Sequence, residues 1–87
     1  MALVGAGNTA LTEALYLAEI AETVHILVRT DVIRAENVWI DRAKNTPNIV
    51  FHLSTQIEKI NGDMMGVTGV TLTTGESLAL DGVFVAI

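Results

Sequence analysis

Residues 1–10, MALVGAGNTA, decide the fold, because an apolar run leads directly into a G-x-G-x-x-A pattern at residues 5–10. In a strand-to-helix turn of this kind the first glycine permits the sharp bend. The second lets the chain approach a pyrophosphate closely, and the final small residue lets the helix pack against the strand. The free N–H groups at the helix start favour negative charge. The pattern alone is a weak signal, since a glycine-containing turn can be purely structural.

The segments after the turn have the periodicity that a dinucleotide site requires. Residues 8–20 show a helical pattern, with Leu11, Leu15 and Ala18 on one face. Residues 24–28 are nearly all apolar and rich in β-branched side chains, which is typical of a strand buried on both faces of a parallel sheet. This order of strand, glycine turn, helix and second strand predicts a dinucleotide-binding unit.

A second helix and a third strand are predicted next. Thr30 or Asp31 caps the helix, which extends to about Lys44 and stops at the turn cluster 45–48. Residues 49–53 form the third strand. The alternation of strands and helices up to this point predicts a parallel sheet with right-handed crossovers.

The last part of the chain changes to short strands joined by tight turns. The strands are predicted at residues 55–60, 67–73, 77–80 and 83–87, and the turns at 61–63 and 74–76 suit hairpins. The first three strands form a β-meander, and the wholly apolar last run is a buried central strand. The predicted fold class is therefore α/β, a Rossmann-like three-layer ββα sandwich with the sheet between two helices and the meander.

Composition excludes several classes of function. The 87 residues carry a net charge of −5 without a basic run, so a nucleic-acid partner is not expected. The chain has no cysteine, which excludes disulfides and a redox dithiol within it, and its two histidines are too few for a metal site. No apolar stretch approaches the 18–20 residues of a transmembrane helix. A cytoplasmic protein without a membrane partner is the expectation.

The end of the second predicted strand bears on the choice of nucleotide. NAD-selective sites place an acidic residue there for the ribose hydroxyls. Here Arg29 follows the strand, and Arg34 lies five positions later. Two guanidinium groups suit a 2′-phosphate, and Thr30 adds a hydroxyl donor. NADPH is therefore the predicted nucleotide, with NADH as the alternative if Asp31 binds the ribose.

Four segments together resemble thioredoxin reductases, which are FAD-dependent pyridine nucleotide-disulfide oxidoreductases of class II. The resemblance covers essentially the whole chain, and its combination of motifs is far more specific than the glycine pattern. The segments are GAGNTA with EALYL at 5–10 and 13–17, VHIL with Arg29 and RA at 24–27 and 34–35, GDMMGVTGV at 62–70, and DGVFVAI at 81–87.

The resemblance implies a function for a longer parent enzyme and roles for residues of this chain. The parent would pass a hydride from NADPH to FAD and then electrons to a disulfide of a thioredoxin-like substrate. The glycine turn would meet the pyrophosphate and nearby ribose, Glu13 would lie near the nicotinamide, and the two arginines would hold the 2′-phosphate. The implied cofactor-binding residues are Gly5, Gly7, Asn8, Thr9, Ala10, Glu13, Arg29, Thr30 and Arg34.

The chain also departs from the family pattern. The usual histidine before the arginines is Val28, the second arginine is Thr30, and the first glutamate of the helix is Thr12. The Cys-x-x-Cys motif and the second glycine pattern for FAD are absent. Residues 1–87 are therefore expected to be an NAD(P)H-binding domain, a fragment lacking the FAD domain and the dithiol segment. Alone it is expected to bind no FAD and to catalyse no reaction, so no catalytic residue is assigned.

Two alternatives stay open at the level of sequence. The parent could be a relative without the dithiol, such as a thioredoxin reductase-like ferredoxin–NADP reductase. The chain could instead be a minimal structural domain without a ligand. The missing FAD domain is the expected partner of this domain, and a homodimeric parent is a further expectation.

Overall fold

The computed structural model describes residues 1–5, 7–64, 66–80 and 82–85. Strands and helices alternate in the first half, and four strands close the chain, as the sequence predicts. The elements are β1 (Ala2–Val4), α1 (Asn8–Ala18), β2 (Val24–Leu27), α2 (Asn37–Lys44), β3 (Ile49–His52), β4 (Ile57–Asp63), β5 (Gly66–Leu72), β6 (Ser77–Ala79) and β7 (Val83–Val85).

The parallel sheet has the strand order β3-β2-β1-β7. Its central strand β1 places Leu3 opposite Ile26 of β2 and opposite Phe84 of β7. The chain leaves β1 towards β2 on one side, and the last strand returns on the other. The carboxyl end of β1 is therefore the topological switch point of the sheet, where ligands bind in open α/β folds.

The meander forms a second, antiparallel sheet in the order β4-β5-β6. The predicted turn at 61–63 is wrong, because these residues continue β4 and Asp63 pairs with Gly66. The hairpin turn therefore comes after Asp63. Residue 65 lies outside the described residues. A register shift between Asn61 and Gly62 lets the strand continue past the polar Asn-Gly pair.

Side chains of the parallel sheet alternate between two apolar layers. Leu3 and Ile26 belong to a buried cluster shared with the two helices, whereas Ala2 and Leu27 belong to one shared with the meander. This is the period-two alternation of strands, with both faces covered. The three-layer arrangement is thus confirmed.

The second helix begins later than predicted. It starts at Asn37 with Glu36 as N-cap, and residues 29–36 form an irregular segment between β2 and α2. Val32 and Ile33 are consecutive β-branched residues, which disfavour a helix. The helix ends as predicted at Lys44, before Pro47, which cannot continue a helix.

The first helix ends two residues before the predicted position 20. The Asn48 side-chain amide donates to the carbonyls of Ala18 and Ala21 at 2.7 and 3.0 Å. The backbone carbonyl of Asn48 accepts from the N–H of Val24 at 2.8 Å. One turn residue thus joins the end of α1 to the start of β2.

Within the described part of the chain, no helix combines the length and the hydropathy that crossing a membrane requires. The predicted final strand is observed as Val83–Val85, and residues 86 and 87 lie outside the described ranges. Residue 6 of the glycine turn is also outside them. The prediction of the final strand as a buried central strand is wrong, because β7 is the outermost strand of the described parallel sheet and Phe84 and Val85 are exposed.

Candidate functional site

The glycine turn lies at the switch point of the parallel sheet. Gly5 has a positive φ of 155°, which favours glycine, and its N–H donates to the carbonyl of Leu27 at 3.2 Å. Gly7 is extended and is the N-cap of α1, and its carbonyl accepts the helical bond from Leu11 at 3.1 Å. The turn therefore directs the start of α1 at the carboxyl end of β1.

The N-terminus of α1 is suited to an anion. The first N–H groups of a helix have no partner within the helix, and here they belong to Asn8, Thr9 and Ala10. Among the described residues no side chain caps this end, and the first turn contains no acid. Ala10 is 1% exposed and belongs to the helix-side core, which is the packing role that its small size predicts.

The described packing leaves room for a side chain at the position of Gly7. A Cβ built on Gly7 would meet one described atom within 4 Å, the Arg34 carbonyl oxygen at 3.9 Å, which is an ordinary contact. Its φ of −88° and ψ of −177° suit any residue. By contrast, a Cβ on Gly69 would collide with the Leu78 carbonyl in the meander. Gly69 is therefore explained by strand packing, whereas Gly7 is not.

The segment 29–36 carries the predicted phosphate-binding residues. Arg29, Thr30 and Arg34 are all exposed. The Thr30 hydroxyl donates to the Val32 carbonyl at 2.9 Å, and the Thr30 carbonyl accepts from Ser54 N–H at 2.8 Å. The Thr30 side chain is thus engaged within its own segment, while both guanidinium groups face solvent.

A contact between Asn8 and Glu36 links this segment to the glycine turn. Asn8 Oδ1 accepts from the backbone N–H of Glu36 at 2.8 Å, and Asn8 Nδ2 donates to Glu36 Oε1 at 3.3 Å. The sequence interpretation missed Glu36 because it placed this residue inside a continuous second helix. The consecutive β-branched residues Val32 and Ile33 disfavour a helix, and this is the sequence signal that indicates a later start of α2.

The structure brings some of the predicted residues together and leaves others apart. Gly7 neighbours the Arg34 backbone, and Arg29 is the second residue after β2, the strand that neighbours β1. Glu13 is exposed on α1, about 7.5 Å along the helix axis from Asn8 at 1.5 Å per residue. Its implied place near the nicotinamide stays a prediction.

The two histidines form a pair on the meander side of the sheet. His25 Nδ1 and His52 Nε2 are 2.9 Å apart, and the ring centroids are 5.1 Å apart. Burial is the main effect that lowers the pKa of His25 below its ordinary 6.5, followed by His52 and the amino terminus; Glu76 acts in the opposite direction. Nowhere in the described ranges do three His, Cys, Asp or Glu side chains gather into a metal site.

Comparison with known proteins agrees with the fold and the glycine turn. The family model "Pyridine nucleotide-disulphide oxidoreductase" matches residues 1–80. The thioredoxin reductase of Escherichia coli O157:H7 is 45% identical, with 100% of this chain and 30% of the relative covered. The glucosaminate ammonia-lyase of Pseudomonas fluorescens is 43% identical, with 100% and 29% covered.

A solved structure shows the same fold. The thioredoxin reductase of Streptococcus pyogenes MGAS5005 superposes with a TM-score of 0.91 at 31% identity, over 99% of this chain and 30% of the other. The chain thus spans about 30% of the length of these relatives. The resemblance to thioredoxin reductases and the α/β fold class are confirmed. The chain belongs to the pyridine nucleotide-disulphide oxidoreductase family.

Proposed function

We propose that residues 1–87 are the NADPH-binding domain of a longer thioredoxin reductase-like flavoenzyme. In that parent, NADPH supplies a hydride to FAD, and the electrons then pass to a disulfide of a thioredoxin-like protein. The domain itself binds and orients the nucleotide, while FAD, the dithiol and the substrate belong to the rest of the parent. The proposal includes a cytoplasmic location for the parent.

The observation that carries this proposal is Gly7. The fold accommodates a Cβ at this position, so the described packing gives no reason for glycine. A pyrophosphate that approaches the backbone at the start of a helix does give one. The glycine also lies at the switch point of the sheet, where dinucleotides bind in this class of fold.

The exposed arginines favour NADPH over NADH. Arg34 lies in the segment that touches Gly7, and Arg29 lies at the carboxyl end of β2. A 2′-phosphate next to this segment would accept charge-assisted hydrogen bonds from guanidinium groups. NADH carries a neutral 2′-hydroxyl in place of this phosphate and so offers the arginines no charged partner there.

Disulfide reduction, the proposed second half-reaction of the parent, has one alternative. A protein named glucosaminate ammonia-lyase is almost as similar to this chain as the thioredoxin reductases are. Because this name denotes a lyase, it favours, as a second candidate, a parent whose second half-reaction is not disulfide reduction. The sequence of the parent separates the two, because a Cys-x-x-Cys motif next to this domain supports disulfide reduction.

A Gly7→Ala substitution tests nucleotide binding without disturbing the fold. We expect the wild-type chain to bind NADPH in calorimetry and its Tm to rise with the NADPH concentration, since a ligand of the native state stabilises it. In Gly7→Ala we expect the Tm without nucleotide to stay within about 2 °C, because the new methyl makes an ordinary contact. Affinity for NADPH should fall at least about tenfold, since the methyl occupies the space of the pyrophosphate.

The Gly69→Ala variant is the matched control. Its methyl collides with backbone in the meander, so this variant should lose stability. A wild-type chain that binds neither NADPH nor NADH would contradict the proposal and favour a ligand-free structural domain. Unchanged NADPH affinity in Gly7→Ala would contradict the assignment of the pyrophosphate to this turn.

A further inference from the structure

We propose that Asn8 is a positioning residue, which holds the arginine-bearing segment 29–36 against the glycine turn and thereby supports recognition of the 2′-phosphate. This inference rests on the proposed function. It gives Asn8 a role different from direct contact with the pyrophosphate, since both polar groups of its side chain already have partners in the protein.

The Asn8 side chain makes two hydrogen bonds to Glu36, and we call this pair of contacts the clamp. Asn8 Oδ1 accepts from the Glu36 backbone N–H at 2.8 Å, and Asn8 Nδ2 donates to Glu36 Oε1 at 3.3 Å. A primary amide offers an acceptor oxygen and a donor nitrogen on adjacent atoms of one group, so a single side chain can contact both partners. The backbone bond does not depend on the side chain at position 36, so Asn8 fixes the course of the chain there.

The segment is held at its other end by a second contact. Ser54 N–H donates to the Thr30 carbonyl at 2.8 Å, next to β3. Between the two tethers, Ile33 and Ala35 are half-buried against the helix-side cluster. Arg34 lies between them and is exposed, and its carbonyl is 3.9 Å from the Cβ position of Gly7. Without Asn8 the segment has one tether fewer near the glycine turn, so the Arg34 side chain samples a wider range of positions.

The ratio of two dissociation constants isolates this effect. NADPH and NADH share the pyrophosphate, so a direct loss of pyrophosphate contact weakens both equally. Loss of the arginine segment weakens NADPH alone. We therefore expect Asn8→Ala to lower the preference for NADPH over NADH by about three- to tenfold, the effect of about one hydrogen bond.

Hydrogen exchange gives a readout that needs no nucleotide. The Glu36 amide should exchange slowly in the wild-type chain, faster in Asn8→Ala, and slowly again in Asn8→Asp, which keeps an oxygen acceptor for the amide. Thr12→Ala is the matched control, because Thr12 Oγ1 donates to the carbonyls of Asn8 and Thr9 and has no contact with Glu36. It should change neither Glu36 exchange nor the nucleotide preference.

The outcomes separate this inference from the proposed function. Binding of NADPH with equal weakening of both nucleotides in Asn8→Ala overturns the positioning role and leaves the proposed function intact. Unchanged Glu36 exchange in Asn8→Ala also overturns it, as does a wild-type chain that binds NADPH and NADH equally well. A wild-type chain that binds neither nucleotide overturns both. If Asn8→Ala does not fold, slow Glu36 exchange in Asn8→Asp supports the clamp, and fast exchange there overturns it.

Discussion

In the proposed NADPH-binding domain, we expect individual side chains in the segment after β2 to select between NADPH and NADH. Arg29 and Arg34 are exposed cations, whereas the Thr30 hydroxyl donates a hydrogen bond to the Val32 carbonyl. The two arginines are therefore the stronger candidates for the 2′-phosphate. Asp31, the alternative ribose acid, is exposed in the same segment.

Removal of one arginine should affect NADPH selectively. We expect Arg29→Ala to raise the Kd for NADPH by about 10- to 100-fold, the loss of a hydrogen bond to a charged group. The Kd for NADH should change by less than about twofold. Arg42→Ala is the calorimetric control, because it removes the same charge from α2, where Arg42 stacks on Trp39 at 5.5 Å. Equal weakening of both nucleotides in Arg29→Ala would contradict recognition of the 2′-phosphate.

The histidine pair should make stability depend on pH. The pKa of His25 is lower in the folded chain, mainly through burial, so the unfolded chain binds the proton more readily. The contribution of neutral His25 to the free energy of unfolding is thus fully present above its ordinary pKa of 6.5 and is lost as the pH falls below that value.

Thermal unfolding between pH 7.5 and pH 5 measures this effect. The wild-type Tm should decrease towards pH 5, and the decrease should be smaller in His25→Gln, which cannot be protonated. Parallel pH profiles of the two proteins would show that His25 is not the group responsible.

At the scale of elements, a local sequence pattern predicts a helix or strand correctly where the packing of that element follows the same pattern. The periodicity of α1 and the apolar runs of β1 and β2 reflect burial in the core, and so they appear in the sequence. The apolar run of β7 is the exception, because this strand is at the edge of the sheet and is partly exposed. Gly5 and Ala10 likewise have local explanations, in the positive φ of Gly5 and the burial of Ala10 against the strand. This half of the candidate site was predictable.

The segment 29–36 was not predictable in the same way. Its path depends on two partners distant in sequence, Asn8 and Ser54, and on Gly7, beside which the Arg34 backbone lies. The local sequence of residues 31–36 therefore favours the start of a helix, whereas the chain there is irregular. The β4–β5 turn was misplaced for a related reason, since the Asn61-Gly62 pair favours a turn locally but strand pairing continues to Asp63.

At the scale of the whole molecule, two apolar clusters share one sheet. Leu11 lies in the helix-side cluster and Leu72 in the meander-side cluster, and both side chains are fully buried. Neighbouring residues of β1 and β2 contribute to both layers. The two layers should therefore unfold together, as small domains usually do.

A Leu72→Ala substitution in the meander tests this coupling. It should cost about 2–5 kcal/mol, a large part of the about 4–13 kcal/mol expected for 87 residues. Trp39 is the single tryptophan and packs against the helix-side cluster. Its fluorescence should nevertheless show the same lower urea midpoint as circular dichroism.

Met64→Ala is the control for the meander, because that side chain is fully exposed at 103%. It should leave the midpoint unchanged. If Trp39 fluorescence kept its wild-type midpoint in Leu72→Ala while the dichroism shifted, the layers would be independent units.

The central position of β1 has a consequence for synthesis on the ribosome. Val4 pairs with Leu27 on one side and with Val85 on the other. The first partner follows soon, but the second is translated about 80 residues later, which takes about 4–16 s at typical elongation rates. During that interval the side of β1 that β7 covers in the complete sheet has not yet gained that strand.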